Sequence, residues 1–247
     1  MQLWVLGANG TYPTAGRPTA GYLLSHGDSR VLIDAGSGTY GALLNLMDPA
    51  GLDAIVISHL HVDHCVDVFP LYHYLRWGPG ERTPLPLILP DGAVERLDAF
   101  LDSGGGSHLR EAFAPWTPAD GESVDLGEVA FRFGEADHPV PTLQLRATAG
   151  GRSLAYSADT GTGSDLIDLA AGANTLLAEA TFQGQVKRAP HHLTATEAGE
   201  IAHRAGVERL ILTHLLPTLD PQQSIAEAAV VFGGDVMVAA PDLEVLI

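Results

Sequence analysis

The passage that most constrains this chain runs from residue 53 to 65, DAIVISHLHVDHC, an apolar run that breaks off into His59, His61, Asp63 and His64. The run reads as a short buried strand. Four ligand-type side chains at its end need partners, and strand ends are where side chains from several elements converge in layered α/β architectures. The rest of the chain follows the same plan. Strand-like runs LWVLG, TAGYLLS and RVLIDAGSG precede it, with a helix near residues 38–47. PLPLILP, a helix opening with Asp91 as N-cap and a glycine-rich break SGGGSH come after it. Strands VAFRFGEA, TLQLRAT and SLAYSA follow, and the last third alternates helices with TLLAEA, RLILTH and DVMVAA.

Composition is compatible with a single domain over residues 1–247. The 247 residues are 46% apolar, ample for a core, and 28 glycines and 16 prolines without a period mark tight connections between short elements. Thr194 followed by Glu197 fits a capping box, so a helix is expected to begin just after HHL. There is no short sequence repeat, and a strand-rich first part followed by a second part with its own strands and helices raises the expectation of two similar halves packed sheet to sheet.

If the backbone stays extended past IVIS, His59, His61 and Asp63 face one way and His64 another. One small ion does not easily take all four. The spacing suggests two neighbouring ions, His59 and His61 serving one, Asp63 and His64 the other. Imidazole and carboxylate ligands suit Zn, Mn, Fe or Co. A lone histidine is more often a surface or core residue, but four ligand types in six positions after a buried strand are poorly explained that way. Further candidates recur at other strand ends: His138 in EADHPVP, Asp159 in AYSADTG and His214 in LILTHLL.

Together, His-x-His-x-Asp-His at 59–64 with His138, Asp159 and His214 resembles the metallo-β-lactamase superfamily in its dinuclear hydrolase form. LGANGTYPTAGRPTAGYLL, SHLHVDH, AEAT at 178–181, HLT at 192–194 and LTHL resemble its ribonuclease Z-like phosphodiesterase branch. The resemblance runs from residue 3 to about 216. It implies an α/β fold, a four-layer αβ/βα sandwich of two mixed sheets packed face to face with helices outside. It implies one divalent ion on His59, His61 and His138 and a second on Asp63, His64 and His214, with Asp159 bridging, zinc being the first choice. The implied chemistry is hydrolysis by attack of a metal-bridging hydroxide, since two ions about 3.5–4 Å apart stabilise both entering and departing oxygens.

The resemblance also makes Asp63, His192 and Glu179 the candidate catalytic residues. His192 would donate a proton to the leaving oxygen or stabilise its charge, and Glu179 would orient His192. Asp34 is expected to orient a ligand or the loop backbone rather than bind metal, and Cys65 to be a small buried residue. His26, His73, His108, His191 and His203 read as structural or surface residues. The aromatic residues of YHYLRW at 72–77 read as helix core, with Tyr72 or Trp77 as alternatives for lining the entrance.

Two departures bear on substrate. The tRNA-processing enzymes of that branch carry a long protruding arm, whereas here the interval from His138 to Asp159 reads as strands. Thirty acidic against thirteen basic side chains give −17, with Lys187–Arg188 the sole adjacent basic pair, which disfavours nucleic acid as a partner. Asp67 stands where that branch usually has glycine, which points to an altered entrance. The first expectation is therefore a phosphodiesterase acting on a small molecule. The alternatives are hydrolysis of a carboxylic or sulfuric ester, lactone or thioester, RNA 3'-processing, and a catalytically weak metal-binding module. The resemblance implies a homodimer. No apolar run nears the roughly 18 residues of a spanning helix, the start has no basic leader, and Cys65 is the one cysteine; the expectation is a cytoplasmic protein without a membrane partner.

Overall fold

The computed structural model describes residues 1–80, 82–101, 108–184 and 189–247. The glycine-rich break at 103–107 and the Lys187–Arg188 pair lie outside the described residues. The strands are β1 (Gln2–Gly7), β2 (Gly21–His26), β3 (Ser29–Ile33), β4 (Ala54–Val56), β5 (Leu85–Ile88), β6 (Phe113–Trp116) and β7 (Ser123–Leu126). They continue with β8 (Val129–Glu135), β9 (Leu143–Ala149), β10 (Arg152–Tyr156), β11 (Thr175–Glu179), β12 (Arg209–Thr213), β13 (Asp235–Val238) and β14 (Glu244–Leu246). The helices are α1 (Thr39–Leu44), α2 (Val62–Cys65), α3 (Val68–Trp77), α4 (Ala93–Leu101), α5 (Leu166–Ala170), α6 (Ala195–Ala205) and α7 (Pro221–Phe232).

Two seven-stranded mixed sheets result, ordered β14-β1-β2-β3-β4-β5-β6 and β13-β12-β11-β10-β9-β8-β7. In each, three antiparallel pairings lead into three parallel ones. The expected similarity of the halves is thus visible as repeated topology.

Strand periodicity explains the layering. Side chains alternate between faces with period two, so Leu3, Tyr22, Val31 and Val56 of the first sheet meet Phe131, Leu145, Tyr156 and Ile211 of the second in a central core. The intervening Leu23, Leu32 and Ile55 point outward under α3 and α4, together with Leu71 and Leu97. On the other side, Leu176, Leu210 and Leu212 pack beneath α5, α6 and α7 with Leu166, Ile201 and Phe232. Helix, sheet, sheet, helix is the predicted four-layer sandwich. Tyr72 belongs to the outer core, its ring centroid 6.4 Å from that of Phe113. Trp77 is exposed, with the Arg76 guanidinium 4.2 Å over its ring.

Several local expectations need correction. β6, β7 and β14 have no counterpart among the predicted strands. All three are sheet edges, short and partly exposed, and β6 carries Pro115, which an edge tolerates. α4 begins at Ala93, leaving Asp91 in the preceding turn rather than at the N-cap. The Asp67 carboxylate accepts the Tyr40 backbone N–H at 2.8 Å at the start of α1. The capping box is present, with Thr194 and Glu197 exchanging side-chain to backbone bonds at the start of α6. Among the described residues, no helix is long and apolar enough to cross a membrane.

Candidate metal centre

The first-sheet strands β3 and β4 and the second-sheet strands β8, β10, β11 and β12 end at one edge of the sandwich. Loops leaving carboxyl ends of strands are where α/β folds place ligands. These loops bring Asp34, His59, His61, Asp63, His64, His138, Asp159, Glu179, His192 and His214 together. Asp63 is not extended, however. The backbone turns helical at Val62, so α2 swings Asp63 and His64 away from His59 and His61. Asp34, Ala158 and His214 sit in the left-handed backbone region, at φ 57°, 48° and 57°. Such strain costs about 1–3 kcal/mol per residue and persists where the surroundings over-determine it.

Of three groups of ligand atoms each confined to within 4.8 Å, two share no residue: His59, His61, His138 and Asp159, and Asp63, His64 and His214. Asp159 reaches both. Its Oδ2 is 3.7 Å from His59 Nε2, and its Oδ1 is 3.2 Å from His64 Nε2 and 3.5 Å from His214 Nε2. Thr11, from the loop after β1, donates its N–H to Asp63 Oδ2 at 2.7 Å, and the same oxygen lies 3.1 Å from His214 Nε2.

Tautomers follow from what each imidazole meets on its far side. His64 Nδ1 donates to Asp34 Oδ2 at 2.7 Å. Ser58 Oγ gives its proton to Asp34 at 2.9 Å, so it accepts from His59 Nδ1 at 3.1 Å. Thr181 Oγ1 gives its proton to Glu179 Oε2 at 2.6 Å, so it accepts from His214 Nδ1 at 2.9 Å. His138 Nδ1 donates to the carbonyl of His191 at 3.2 Å. Four rings therefore spend one N–H outward and turn Nε2 toward the cluster, the arrangement in which outer partners fix metal-ligating histidines.

The inward nitrogens crowd one another. His59 Nε2 and His138 Nε2 stand 3.0 and 3.1 Å from the same atom, His61 Nδ1. Ligand nitrogens about 2.0–2.1 Å from one zinc ion stand roughly 3 Å apart. His64 Nε2 and Asp159 Oδ1 are buried without any hydrogen bond, a costly condition that a cation relieves. The donor set of imidazoles and carboxylates completes the fit: the cluster is able to bind metal ions.

Electrostatics point the same way. Burial, with the His64 charge next, holds His59 well below the ordinary imidazole value despite Asp159. Burial is also the main reason that His61 is lowered and that His138 falls to about 4. These rings keep free lone pairs at neutral pH. Burial resists ionisation of Asp63 and Asp159, yet the neighbouring imidazoles outweigh it and hold both carboxyls below their usual range. His64 goes the other way: burial opposes its charge, but Asp159 and Asp34 raise it well above the ordinary value. The cavity that draws a proton there would draw a cation.

The signs predict the pH profile of chelator-stripped protein. Below about pH 6.5, the unfolded chain takes up protons that His59, His61 and His138 refuse, so stability falls as pH falls. Above that value, folded His64 and His192 retain protons that the unfolded chain has released, so stability falls as pH rises. Urea midpoints should therefore peak near the ordinary imidazole pKa. A monotonic profile from pH 5 to 8.5 would contradict this assignment.

Asp34 fulfils the orienting role expected of it. Fully buried, it accepts from Ser58 N–H at 2.7 Å, Ser58 Oγ, Tyr156 Oη at 2.7 Å and His64 Nδ1. Asp34→Ala would orphan these donors, and we expect a loss of about 3–5 kcal/mol in urea unfolding. Cys65 faces the outer core, its thiol pushed up to about 12 by burial and then by Asp34 and Asp63.

His192 stands on the open side of the cluster. Its Nδ1 donates to Glu179 Oε1 at 2.9 Å, and its ring lies parallel to that of His214 with centroids 5.8 Å apart. Burial opposes protonation of His192, but the bond and charge of Glu179 prevail and raise it. His191 had read as a bland loop residue. Yet its carbonyl holds His138, and its ring Nδ1 donates to Asp137 Oδ1 at 2.9 Å. Asp137, Ser58 and Thr181 lie within quoted motifs but carry no expected role, because single Asp, Ser and Thr residues near turns have no distinguishing pattern.

Comparison with known proteins places this arrangement in context. Residues 29–215 match the family described as Beta-lactamase superfamily domain. An uncharacterised protein of Mycobacterium tuberculosis is 37% identical over 242 residues, covering 96% of this chain and 88% of the relative. The probable metallo-hydrolase YhfI of Bacillus subtilis is 32% identical over 246 residues, 97% of both chains. Its crystal structure superposes with a TM-score of 0.90 at 28% identity, over 99% of this chain and 98% of that one. A ribonuclease Z of Mycobacterium sp. is 32% identical over 260 residues, covering 94% of this chain and 91% of the relative.

Proposed function

The chain belongs to the beta-lactamase superfamily and is a metallo-hydrolase of that fold, and from that premise we propose that it is a phosphodiesterase acting on small diesters with two divalent ions, zinc first. The observation that carries the reading is the Glu179–His192 pair. It presents an imidazole whose protonated form is favoured, its Nδ1 already engaged, on the open side of the cluster.

His59, His61 and His138 would hold one ion, and Asp63, His64 and His214 the other, with Asp159 between. His192 together with Asp159 and His214 also forms a potential ligand group. We assign His192 to substrate, because the nitrogen nearer that group, Nδ1 at 3.9 Å from Asp159 Oδ2, is occupied by Glu179. Bound ions would supply Lewis-acid polarisation of the phosphoryl oxygens and ionise water near neutral pH. The chain's own part is proton delivery. His192 would give the proton on Nε2 to the departing oxygen, while Glu179 retains the ring orientation and stabilises the cation until transfer. Thr160 N–H and Thr181 Oγ1, donating to Glu179 at 2.8 and 2.6 Å, keep that carboxylate aimed.

Small substrates are favoured by two features. β9 and β10 occupy the interval between His138 and Asp159, joined by a short turn at Gly150–Gly151, so no arm protrudes there. The charge of −17 repels a polyphosphate backbone. The test is zinc- and manganese-reconstituted protein assayed on a cyclic nucleotide, a lactone, a thioester and a structured RNA. Turnover of the cyclic nucleotide that collapses in His192→Ala supports the reading. Preference for the lactone or thioester with no effect of His192→Ala moves the assignment to ester hydrolysis. RNA cleavage above all others overturns the small-substrate part, and a loaded protein inert on all four is a binding module.

A further inference from the structure

Beyond the residues that face the cluster, the structure joins three of its loops at one point, the carboxylate and backbone of Asp137. The Asp137 N–H donates to Thr160 Oγ1 at 3.1 Å, and its carbonyl accepts from Gly161 N–H at 2.8 Å. Its Oδ2 accepts from Gly163 N–H at 3.1 Å, and its Oδ1 from His191 Nδ1 at 2.9 Å. Asp137 thus touches the segment just after Asp159 and the residue just before His192, while it immediately precedes His138. The next residue along closes the figure, since His138 Nδ1 donates to the carbonyl of His191. His191 is therefore gripped twice by consecutive residues, once through its ring and once through its backbone.

A circuit results: His192 to Glu179, Glu179 to the Thr160 N–H, Thr160 to Asp137, Asp137 to His191 and back to His192. Close approach is built into the sequence. A Cβ on Gly161 would fall 2.5 Å from Asp137 Oδ2 and 2.6 Å from the carbonyl of Pro190, and one on Gly163 would fall 2.7 Å from Asp137 Oδ2. Only glycine lets the two strand-end loops and the 190–192 loop close on the carboxylate.

We propose that Asp137 and His191 are a positioning pair that sets the loop of His192 in register with His138 and Asp159, so that metal affinity and the placement of His192 depend on one contact. This rests on the metal-centre part of the reading above and not on the bond that is cut. It predicts that the ring proton on His138 Nδ1 is held only while His191 is held.

The experiment compares wild type, His191→Ala, Asp137→Ala, the double variant and His191→Gln, whose amide can still donate to Asp137. Zinc affinity is measured by competition with a chromophoric chelator, and solvent exchange of the His138 ring N–H by NMR of stripped protein. Each alanine variant should bind zinc about 10–100-fold more weakly, the double variant no more weakly than the worse single one, and His191→Gln should recover most of the loss. The His138 ring proton should exchange faster in both alanine variants. A merely structural contact would lower Tm and leave affinity and exchange unmoved, and that result overturns the proposal. So does multiplication of the two losses, which would mean independent actions. If an alanine variant does not fold, His191→Gln compared with His191→Leu decides by the same readouts. Wild type that takes up no zinc defeats the metal-centre reading alone, leaving the ring-proton exchange to judge the pair.

Discussion

Asp159→Ala is expected to lose tight binding of both ions and more turnover than the roughly 10–100-fold that loss of an outer partner costs. The reason is position. The Asp159 carboxylate approaches His59 on one side and His64 and His214 on the other, at 3.7, 3.2 and 3.5 Å. It is buried, and its negative charge is maintained against burial by His214, His64 and His59. Without it, the remaining ligands fall into two sets that no shared carboxylate joins. His138→Ala provides the contrast, because His138 belongs to one set only and should cost about half the metal. Elemental analysis of the purified variants, with rates on a cyclic nucleotide, distinguishes them. Asp159→Ala with both ions bound and an undiminished rate would sink the bridging assignment.

His192→Ala should keep its metal and lose about 10²–10⁴-fold in turnover, the contribution of a positioned general acid. The loss should depend on the leaving group. An alkoxide needs the proton that His192 carries, whereas p-nitrophenolate departs without it, so the deficit should shrink on a p-nitrophenyl diester. The pH profile carries a sign as well. His192 is protonated below its raised pKa, so wild-type activity should decline as pH rises through that value, and the decline should vanish in the variant. Glu179→Gln should lie between, with a loss of about 10–100-fold, since the amide still meets Nδ1 but no longer stabilises the cation. Equal losses on alkyl and p-nitrophenyl diesters would argue for oxyanion stabilisation rather than proton donation.

Much of the architecture was legible because its periodicities are strong. β1, β2, β4 and β9 to β12 are largely buried runs bounded by turns, β8 alternates buried and exposed residues, and the Thr194–Glu197 pattern announced the start of α6. β6, β7 and β14 were not legible. As edges they bury only part of one face, and their pairing comes from a neighbouring strand rather than from their own residues. The extended backbone assumed for Asp63 failed for a similar reason. The turn into α2 is fixed partly by contacts from another segment, where Ala35 N–H donates to the His64 carbonyl and Asp67 N–H to the Ala35 carbonyl.

By itself, the sequence determined the kind of chemistry. Histidines and aspartates recurring at the ends of buried strands point to a metal centre at a sheet edge, because side-chain identity and strand period are local properties. What only the tertiary structure decided is which atoms face that centre. Asp34, Ser58, Thr181 and the His191 carbonyl each take one ring N–H, and through them four imidazoles turn Nε2 inward. Those partners lie on different strands, and a tautomer is settled by whatever acceptor the fold brings to the far nitrogen.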